Sequence, residues 1–280
     1  MVSPGNPADM QKSIWMCPVC DARLERGEKS FACAAGHTFD IAREGYVNLV
    51  LAQHRRSAAA GDPKDSLRHR RVFLEAGHYA PLAAALTELL ATRNPDSVLD
   101  VGCGEGYYLR RLAASPALAG GRLYGIDVAK EAIRLAAKAA PRLEHAVGNT
   151  YRLPVMAASV AAVLQVFAPS ADQQIRRVLH PDGVFIEVKP GPHHLEVFRG
   201  MIYERAQAHT EVETPGGFGV LGRERVTFPL RLKQAEDVAG LVEMTPYKWH
   251  MNPETYTRVR DLTELQDTAD FTIGLYRPLP

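Results

Sequence analysis

The chain has 280 residues, of which 46% are hydrophobic and 23% are charged, and its formal net charge is +1. This length allows one large domain and one small one. The small net charge excludes a protein that attracts nucleic acid over its whole surface, so any basic patch must be local. No apolar run approaches the length of a membrane span, and none is expected.

The first residues of the sequence predict the cellular location of the protein. Residues 1–13 are polar and lack the apolar stretch of a secretory signal. We therefore expect a disordered leader and a cytoplasmic protein. In that compartment, cysteines are rarely used as disulfides, which leaves metal binding as the natural use of a cysteine cluster.

Three of the four cysteines lie close together near the N-terminus. Cys17 and Cys20 form a C-x2-C pair, and Cys33 and His37 form a C-x3-H pair after twelve intervening residues. Two short turns with two soft or borderline ligands each suit a tetrahedral ion, and a closed set of four favours a structural zinc. We predict a zinc ribbon over residues 14–50; a reduced knuckle without metal is the alternative.

Residues 51–96 are predicted to form a polar loop and two helices, one beginning near Asp65 and one over residues 81–92. Five arginines with few acids near them form a cationic cluster in this stretch: Arg55, Arg56, Arg68, Arg70 and Arg71. The cluster either neutralises phosphates of a nucleic acid or is a solvated helix face with salt bridges. Both interpretations stay open from the sequence.

A glycine loop follows the second helix. A short β-branched run ends at Asp100, and three glycines at alternating positions, beginning with Gly102 and Gly104, lead into a helical pattern. Strand, glycine turn and helix form the layout of a nucleotide-binding loop in an open α/β sheet. The G-x-G-x-G spacing resembles motif I of S-adenosylmethionine-dependent methyltransferases. The next strand ends in Asp127, about 20 residues further on, where an acid can accept hydrogen bonds from ribose hydroxyls. A glycine turn that serves only tight packing is the alternative.

Helix and strand patterns alternate through the rest of the chain. Helices are expected over residues 107–114, 130–139, 171–179, 235–242 and 253–262, and strands over 98–101, 123–127, 144–147, 161–167, 184–188, 220–232 and 271–279, with a turn at 180–183. A terminal antiparallel hairpin completes the fold. We predict an α/β protein with a seven-stranded Rossmann-like sheet of the class I methyltransferase type over residues 97–280.

Two strand ends should complete the cofactor site. The turn after the third strand contains Asn149, whose side chain suits the adenine. The fourth strand and the turn after it bring Gln165, Phe167 and Pro169 toward the methyl group, because ligands bind at the carboxyl ends of strands in open α/β sheets.

Several further motifs accompany the knuckle and the glycine loop. They cover residues 44–49, 53–57, 61–62, 76–79, 102–108, 167–169 and 190–195. Together with the knuckle they resemble the RlmA family of 23S ribosomal RNA guanine-N1 methyltransferases over nearly the whole chain beyond the leader.

The resemblance implies more than the spacing does. It implies zinc ligation by the four residues of the knuckle, and S-adenosylmethionine binding by Tyr79, Gly104, Glu105 and His194. It also implies a homodimer that cups a hairpin in domain II of 23S rRNA, methylation of one of two neighbouring guanines, and in one branch resistance to macrolides. Some members carry Tyr where this chain has Phe167, so this chain lacks that hydroxyl.

The sequence does not identify a general base for the N1 proton; Glu187 and Asp172 are candidates by location only. Two other functions remain open. One is a small-molecule methyltransferase with a purely structural knuckle, and the other is a non-catalytic RNA-binding module on a methyltransferase fold.

Overall fold

The computed structural model describes residues 13–51, 64–203 and 213–280. Most of the predicted leader and the polar loop with Arg55 and Arg56 lie outside the described residues. Within the described ranges, every helix is too short or too polar to cross a membrane.

The N-terminal segment forms a small antiparallel sheet of three short strands. These are β1 (Glu25–Arg26), β2 (Ser30–Ala32) and β3 (Thr38–Asp40). Such short strands bury little surface of their own, so they depend on the core beside them. That core is shared with the large sheet, because Trp15, Leu24 and Phe31 are fully buried in the same cluster as Leu99 and Ile126 of the large sheet.

Among the residues described, eight strands form one mixed sheet in the order β10-β11-β9-β8-β5-β6-β7-β4. Their bounds are β4 (Val47–Asn48), β5 (Ser97–Val101), β6 (Arg122–Asp127), β7 (Glu144–Val147), β8 (Val160–Val166), β9 (Leu179–Pro190), β10 (Phe218–Leu232) and β11 (Leu265–Pro278). Strands β4 to β9 pair in parallel, whereas β11 lies antiparallel to both β9 and β10. The predicted α/β class and methyltransferase-type sheet are confirmed.

In the described ranges, eight α-helices cover the faces of this sheet. They are α1 (Lys64–Glu75), α2 (Ala80–Arg93), α3 (Tyr107–Ala113), α4 (Lys130–Ala139), α5 (Asp172–Val178), α6 (Glu196–Gly200), α7 (Ala235–Met244) and α8 (Pro253–Arg260). Leu86, Leu109 and Leu241 pack on one face, and Ile175 packs with the zinc-ribbon segment on the other. Both faces are buried, which explains the near-continuous apolar runs of the parallel strands.

The eighth strand was not among the seven expected. Strand β4 comes from the N-terminal segment, where Val47 pairs with Ala146 and Asn48 with Val147 of β7. A two-residue strand has no alternation that a sequence pattern could reveal. It attaches the N-terminal segment to the edge of the sheet by backbone hydrogen bonds, and the Leu49 N–H extends the pairing to the Val147 carbonyl at 2.9 Å.

The prediction of a turn at residues 180–183, with a strand beginning only after it, is wrong. Strand β9 runs through it, with Leu179 paired to Val160 and Val184 paired to Ala162. The partner strand advances two residues while β9 advances five, so the intervening residues bulge outward and His180 stays exposed. Pro181 and Gly183 are typical of turns, and they mark this irregularity rather than the start of a strand.

Candidate cofactor site and zinc-ligand cluster

The glycine loop leaves the end of β5 in a conformation that only glycine adopts readily. Gly102 and Gly104 both have positive φ angles, +76° and +55°. A Cβ on Gly102 would stand 2.2 Å from the Cβ of Ala168, in the turn after β8. Positive φ and close approach both require glycine here. The loop therefore brings the ends of β5 and β8 together, as the sequence predicted.

Asp127 ends β6 beside this loop. Its Oδ2 accepts a hydrogen bond from the backbone N–H of Gly104 at 2.9 Å, and its Oδ1 accepts one from the N–H of Ala129 at 2.8 Å. A carboxylate has about four lone-pair positions, so both oxygens can accept further hydrogen bonds. The side chain is held in place and can accept bonds from two adjacent hydroxyls.

Two further acids of the loop are buried with unsatisfied oxygens. Asp100 is 2% exposed, and its Oδ2 has no hydrogen-bond partner among the residues described. Burial, and then the charge of Asp127, raises the pKa of Asp100 to about 8. Glu105 accepts from the guanidinium of Arg110 at 3.0 Å through one oxygen, while its other oxygen has no partner in that part of the chain.

Unsatisfied buried acceptors are costly, and a bound donor would remove the cost. S-adenosylmethionine carries an ammonium group, two ribose hydroxyls and a positive sulfonium. The acids of the loop therefore fit this cofactor chemically.

Asn149 follows β7 in the sequence and is exposed. Its side-chain oxygen accepts from the N–H of Tyr151 at 2.8 Å, an Asx turn. Its assignment to the adenine stays a prediction.

Tyr79 and His194, which only the family resemblance indicated, meet in one aromatic cluster. Phe271 lies at the centre: its ring centroid is 5.0 Å from that of Tyr79 and 4.8 Å from that of His194. Phe167, after β8, stacks on His194 with planes 25° apart and centroids 6.4 Å apart. Because Phe167 is bonded to Ala168, which touches Gly102, the cluster adjoins the glycine loop.

Asp270 fixes the loop that carries His194, although it was not among the residues predicted for the site. Its side chain is fully buried and accepts hydrogen bonds from Arg225, from Thr227 at 2.7 Å and from the N–H of His193 at 2.9 Å. Burial would raise the pKa of Asp270, but these bonds hold it well below the ordinary range. Asp270 comes directly before the strand predicted over residues 271–279, and an acid next to that apolar run was the signal available.

The two candidate bases differ in their surroundings. Asp172 accepts from the N–H of Gly216 at 2.7 Å. Glu187 is 7% exposed; one oxygen lies 2.8 Å from the ammonium of Lys189, and the other has no partner in the described ranges. Burial raises the pKa of Glu187, although Lys189 acts against this. Glu187 pairs across strands with Gln165, which accepts from Ser170 at 2.8 Å after β8.

The four zinc ligands predicted from the spacing lie together. Their ligand atoms are all within 4.8 Å of one another. Cys17 Sγ is 3.7 Å from His37 Nδ1, and Cys20 Sγ is 3.7 Å from Cys33 Sγ. Separations of this size suit thiolates and an imidazole around one tetrahedral ion. The fourth cysteine, Cys103, is buried in the glycine loop, apart from this cluster.

Comparison with known proteins agrees with this arrangement. The sequence profile described as RlmA, N-terminal, matches residues 15–58, and one described as a methyltransferase domain matches residues 98–183. A 23S rRNA (guanine(748)-N(1))-methyltransferase from Streptomyces fradiae is 36% identical over 94% of this chain and 96% of its own length. The chain belongs to the RlmA family.

Two other relatives are similar to this chain over a comparable share of its length. A putative 23S rRNA (guanine-N(1)-)-methyltransferase from Micromonospora griseorubida is 36% identical over 94% of this chain and 97% of its own length. The putative 23S rRNA (guanine-N(1)-)-methyltransferase YxjB of Bacillus subtilis is 30% identical over 93% of this chain and 96% of its own length. The similarity thus spans zinc ribbon and methyltransferase sheet together.

Proposed function

We propose that this RlmA-family chain transfers a methyl group from S-adenosylmethionine to N1 of a guanine in a domain II hairpin of 23S rRNA. The observation that carries the proposal is the union, in one chain, of the Cys3His cluster with a glycine loop tied to Asp127. The Streptomyces fradiae relative is named for guanine 748, and we propose the same position here.

The chain's own residues would hold the cofactor at the carboxyl ends of β5 and β6. Asp127 would accept hydrogen bonds from the ribose hydroxyls, and Asp100 would accept from the ammonium group through its unsatisfied oxygen. Tyr79 and His194 would border the pocket beside the glycine loop, which their cluster adjoins through Phe167. When bound, S-adenosylmethionine supplies an electrophilic methyl group on its sulfonium.

Guanine N1 carries a proton that must leave as the nitrogen attacks. We propose that the free oxygen of Glu187 accepts this proton. Glu187 would hold the N1 proton once N1 takes up the methyl group, which the bound cofactor would supply with its sulfonium sulfur as the leaving group. A buried carboxylate with a raised pKa is a stronger base than an exposed one. Alignment of the two reacting atoms supplies much of the rate.

The test is methylation of unmodified 23S rRNA by the purified protein with labelled S-adenosylmethionine. Primer extension and mass spectrometry then locate the product. A single N1-methylguanine at position 748 is expected. Product at the neighbouring guanine would correct the position. No transfer to RNA despite measurable cofactor binding would exclude RNA as the substrate and favour a small-molecule acceptor.

The homodimer, the RNA-binding role of the ribbon, the cytoplasmic location and the macrolide resistance are further parts of this proposal. Sedimentation equilibrium tests the dimer. Growth of a sensitive host that expresses the chain, with and without tylosin, tests resistance.

A further inference from the structure

The short 3-10 helix Pro246–His250 presents an exposed tryptophan to solvent. Trp249 is 73% exposed, more than any other large hydrophobic side chain in the described ranges. The other tryptophan, Trp15, is completely buried. A large aromatic side chain left in water is typical of an interaction surface.

The indole rests against the side chain of the neighbouring lysine. The ammonium of Lys248 lies 4.7 Å from the centroid of the Trp249 ring, a cation–π contact. The same ammonium donates to Ser66 Oγ at 2.5 Å and lies 3.4 Å from Glu243. The hydroxyl of Tyr256 also donates a hydrogen bond to Glu243, so the carboxylate of Glu243 has two hydrogen-bond partners, Lys248 and Tyr256. Lys248 therefore supports the indole and leaves much of the ring surface open.

Cationic side chains lie on α1, the helix to which Lys248 is hydrogen-bonded. Ser66 belongs to the first turn of α1. Arg68 and Arg71 follow it and, at about 100° per residue, share one side of that helix, which is turned away from Ser66. Neither arginine forms an ion pair with any residue that the structure describes. Two uncompensated guanidinium groups on this helix are complementary to phosphates of an RNA strand that places an unstacked base on the exposed ring.

The same helix reaches the cofactor loop. A guanidinium nitrogen of Arg70 lies 3.8 Å from the position that a Cβ on Gly104 would occupy. Arg70 also donates to the carbonyl of Met244, at the end of α7 and close in sequence to Trp249. Helix α1 thus connects the exposed indole with the rim of the candidate cofactor site.

From this arrangement we propose that Trp249 is a stacking platform for an unpaired nucleotide near the target guanine, with Arg68 and Arg71 contacting phosphates further along the same strand. The inference rests on the proposed function, because it needs RNA as the substrate. Of the two interpretations of the arginine cluster, phosphate binding or a solvated helix face, this proposal assigns phosphate binding to the arginines of α1. It also gives RNA a second contact region besides the zinc ribbon.

The experiment uses the full-length protein and a synthetic domain II hairpin RNA that contains the target guanine. Trp249→Ala should weaken hairpin binding by about tenfold, the size expected for one lost base–aromatic stack. Trp249→Phe should restore most of the affinity. Cofactor binding and the rate at saturating RNA should stay unchanged. Because Trp15 is buried, RNA should quench fluorescence that the Trp249→Ala variant lacks.

Leu221→Ala removes a comparable exposed apolar side chain, 51% exposed, from β10, and should leave RNA binding unchanged. The double variant Arg68→Ala, Arg71→Ala should reduce the dependence of RNA affinity on salt, because fewer counterions are released. Wild-type affinity in Trp249→Ala, with the hairpin still methylated by the wild type, would overturn this inference alone. A wild type that neither binds nor methylates the hairpin would instead refute the proposed function.

Discussion

The backbone N–H of Gly104 donates a hydrogen bond to the carboxylate of Asp127, joining the glycine loop after β5 to the end of β6. The two residues lie 23 positions apart in the sequence and meet because β5 and β6 are adjacent parallel strands. The bond fixes the direction of the Asp127 carboxylate before any ligand binds. Such preorganisation reduces the entropy that binding would otherwise cost.

Asp127→Asn should weaken S-adenosylmethionine binding by about 10- to 100-fold, because hydrogen bonds to a charged acceptor contribute roughly 1.5–3 kcal/mol. Isothermal titration calorimetry measures the change. Asp182→Asn, which alters a fully exposed carboxylate in the bulge of β9, is the matched control and should bind as the wild type does. Equal affinity in Asp127→Asn would show that this acid does not contact the cofactor.

Cofactor binding should release a proton at neutral pH. The pKa of Asp100 is raised to about 8, so this carboxyl is largely protonated at pH 7 in the free protein. An ammonium group beside it favours the charged form and lowers that pKa. Titrations of S-adenosylmethionine at pH 7 in buffers with different ionisation enthalpies should reveal release of up to one proton. Asp100→Asn should abolish the release; its persistence in that variant would assign it to another group.

Glu187→Gln should lower the turnover rate on RNA by about 100-fold or more, as expected for loss of a general base, with cofactor affinity preserved. The wild-type rate should rise with pH through the raised pKa of Glu187, because only the carboxylate accepts the proton. Glu187→Gln should lack this acid limb. Asp172→Asn, at the other candidate, should retain it. The reverse pattern would assign the base to Asp172.

Loss of a zinc ligand should destabilise the whole chain. The ribbon shares its core with the large sheet through Trp15, whose ring packs edge-on against Tyr124 at 5.9 Å and whose N–H donates to Glu144. Cys33→Ala should release the metal and lower the melting temperature in a single transition, because metal binding contributes folding free energy. Zinc content and calorimetry measure both effects.

Cys103→Ala is the control for zinc content, since Cys103 lies outside the cluster, and it should retain one zinc per chain. A Cys33→Ala protein that kept both its metal and its melting temperature would exclude the ribbon as a structural zinc site.

Much of the site could be predicted because its signals are local. The knuckle needs two pairs of ligands, each closely spaced in the sequence, and the glycine loop needs positive φ angles at fixed positions. Both can therefore be recognised from the sequence before the fold is known. Asp100 and Asp127 followed from their places at strand ends. The parallel strands were visible because burial on both faces imposes continuous apolar runs, and α4 and β7 lie where their patterns predicted.

The sequence by itself determined the zinc ligands, the glycine loop and the class of the sheet, since each depends on residues close together in the chain. Only the tertiary structure decided which distant residues meet. It brought Tyr79 and His194 together around Phe271, placed Asp270 beneath the His194 loop, and joined β4 to β7. It also set Lys248, which contacts the Trp249 ring, against Ser66 of α1. These contacts join residues far apart in the chain, and such contacts depend on how elements pack rather than on any local pattern.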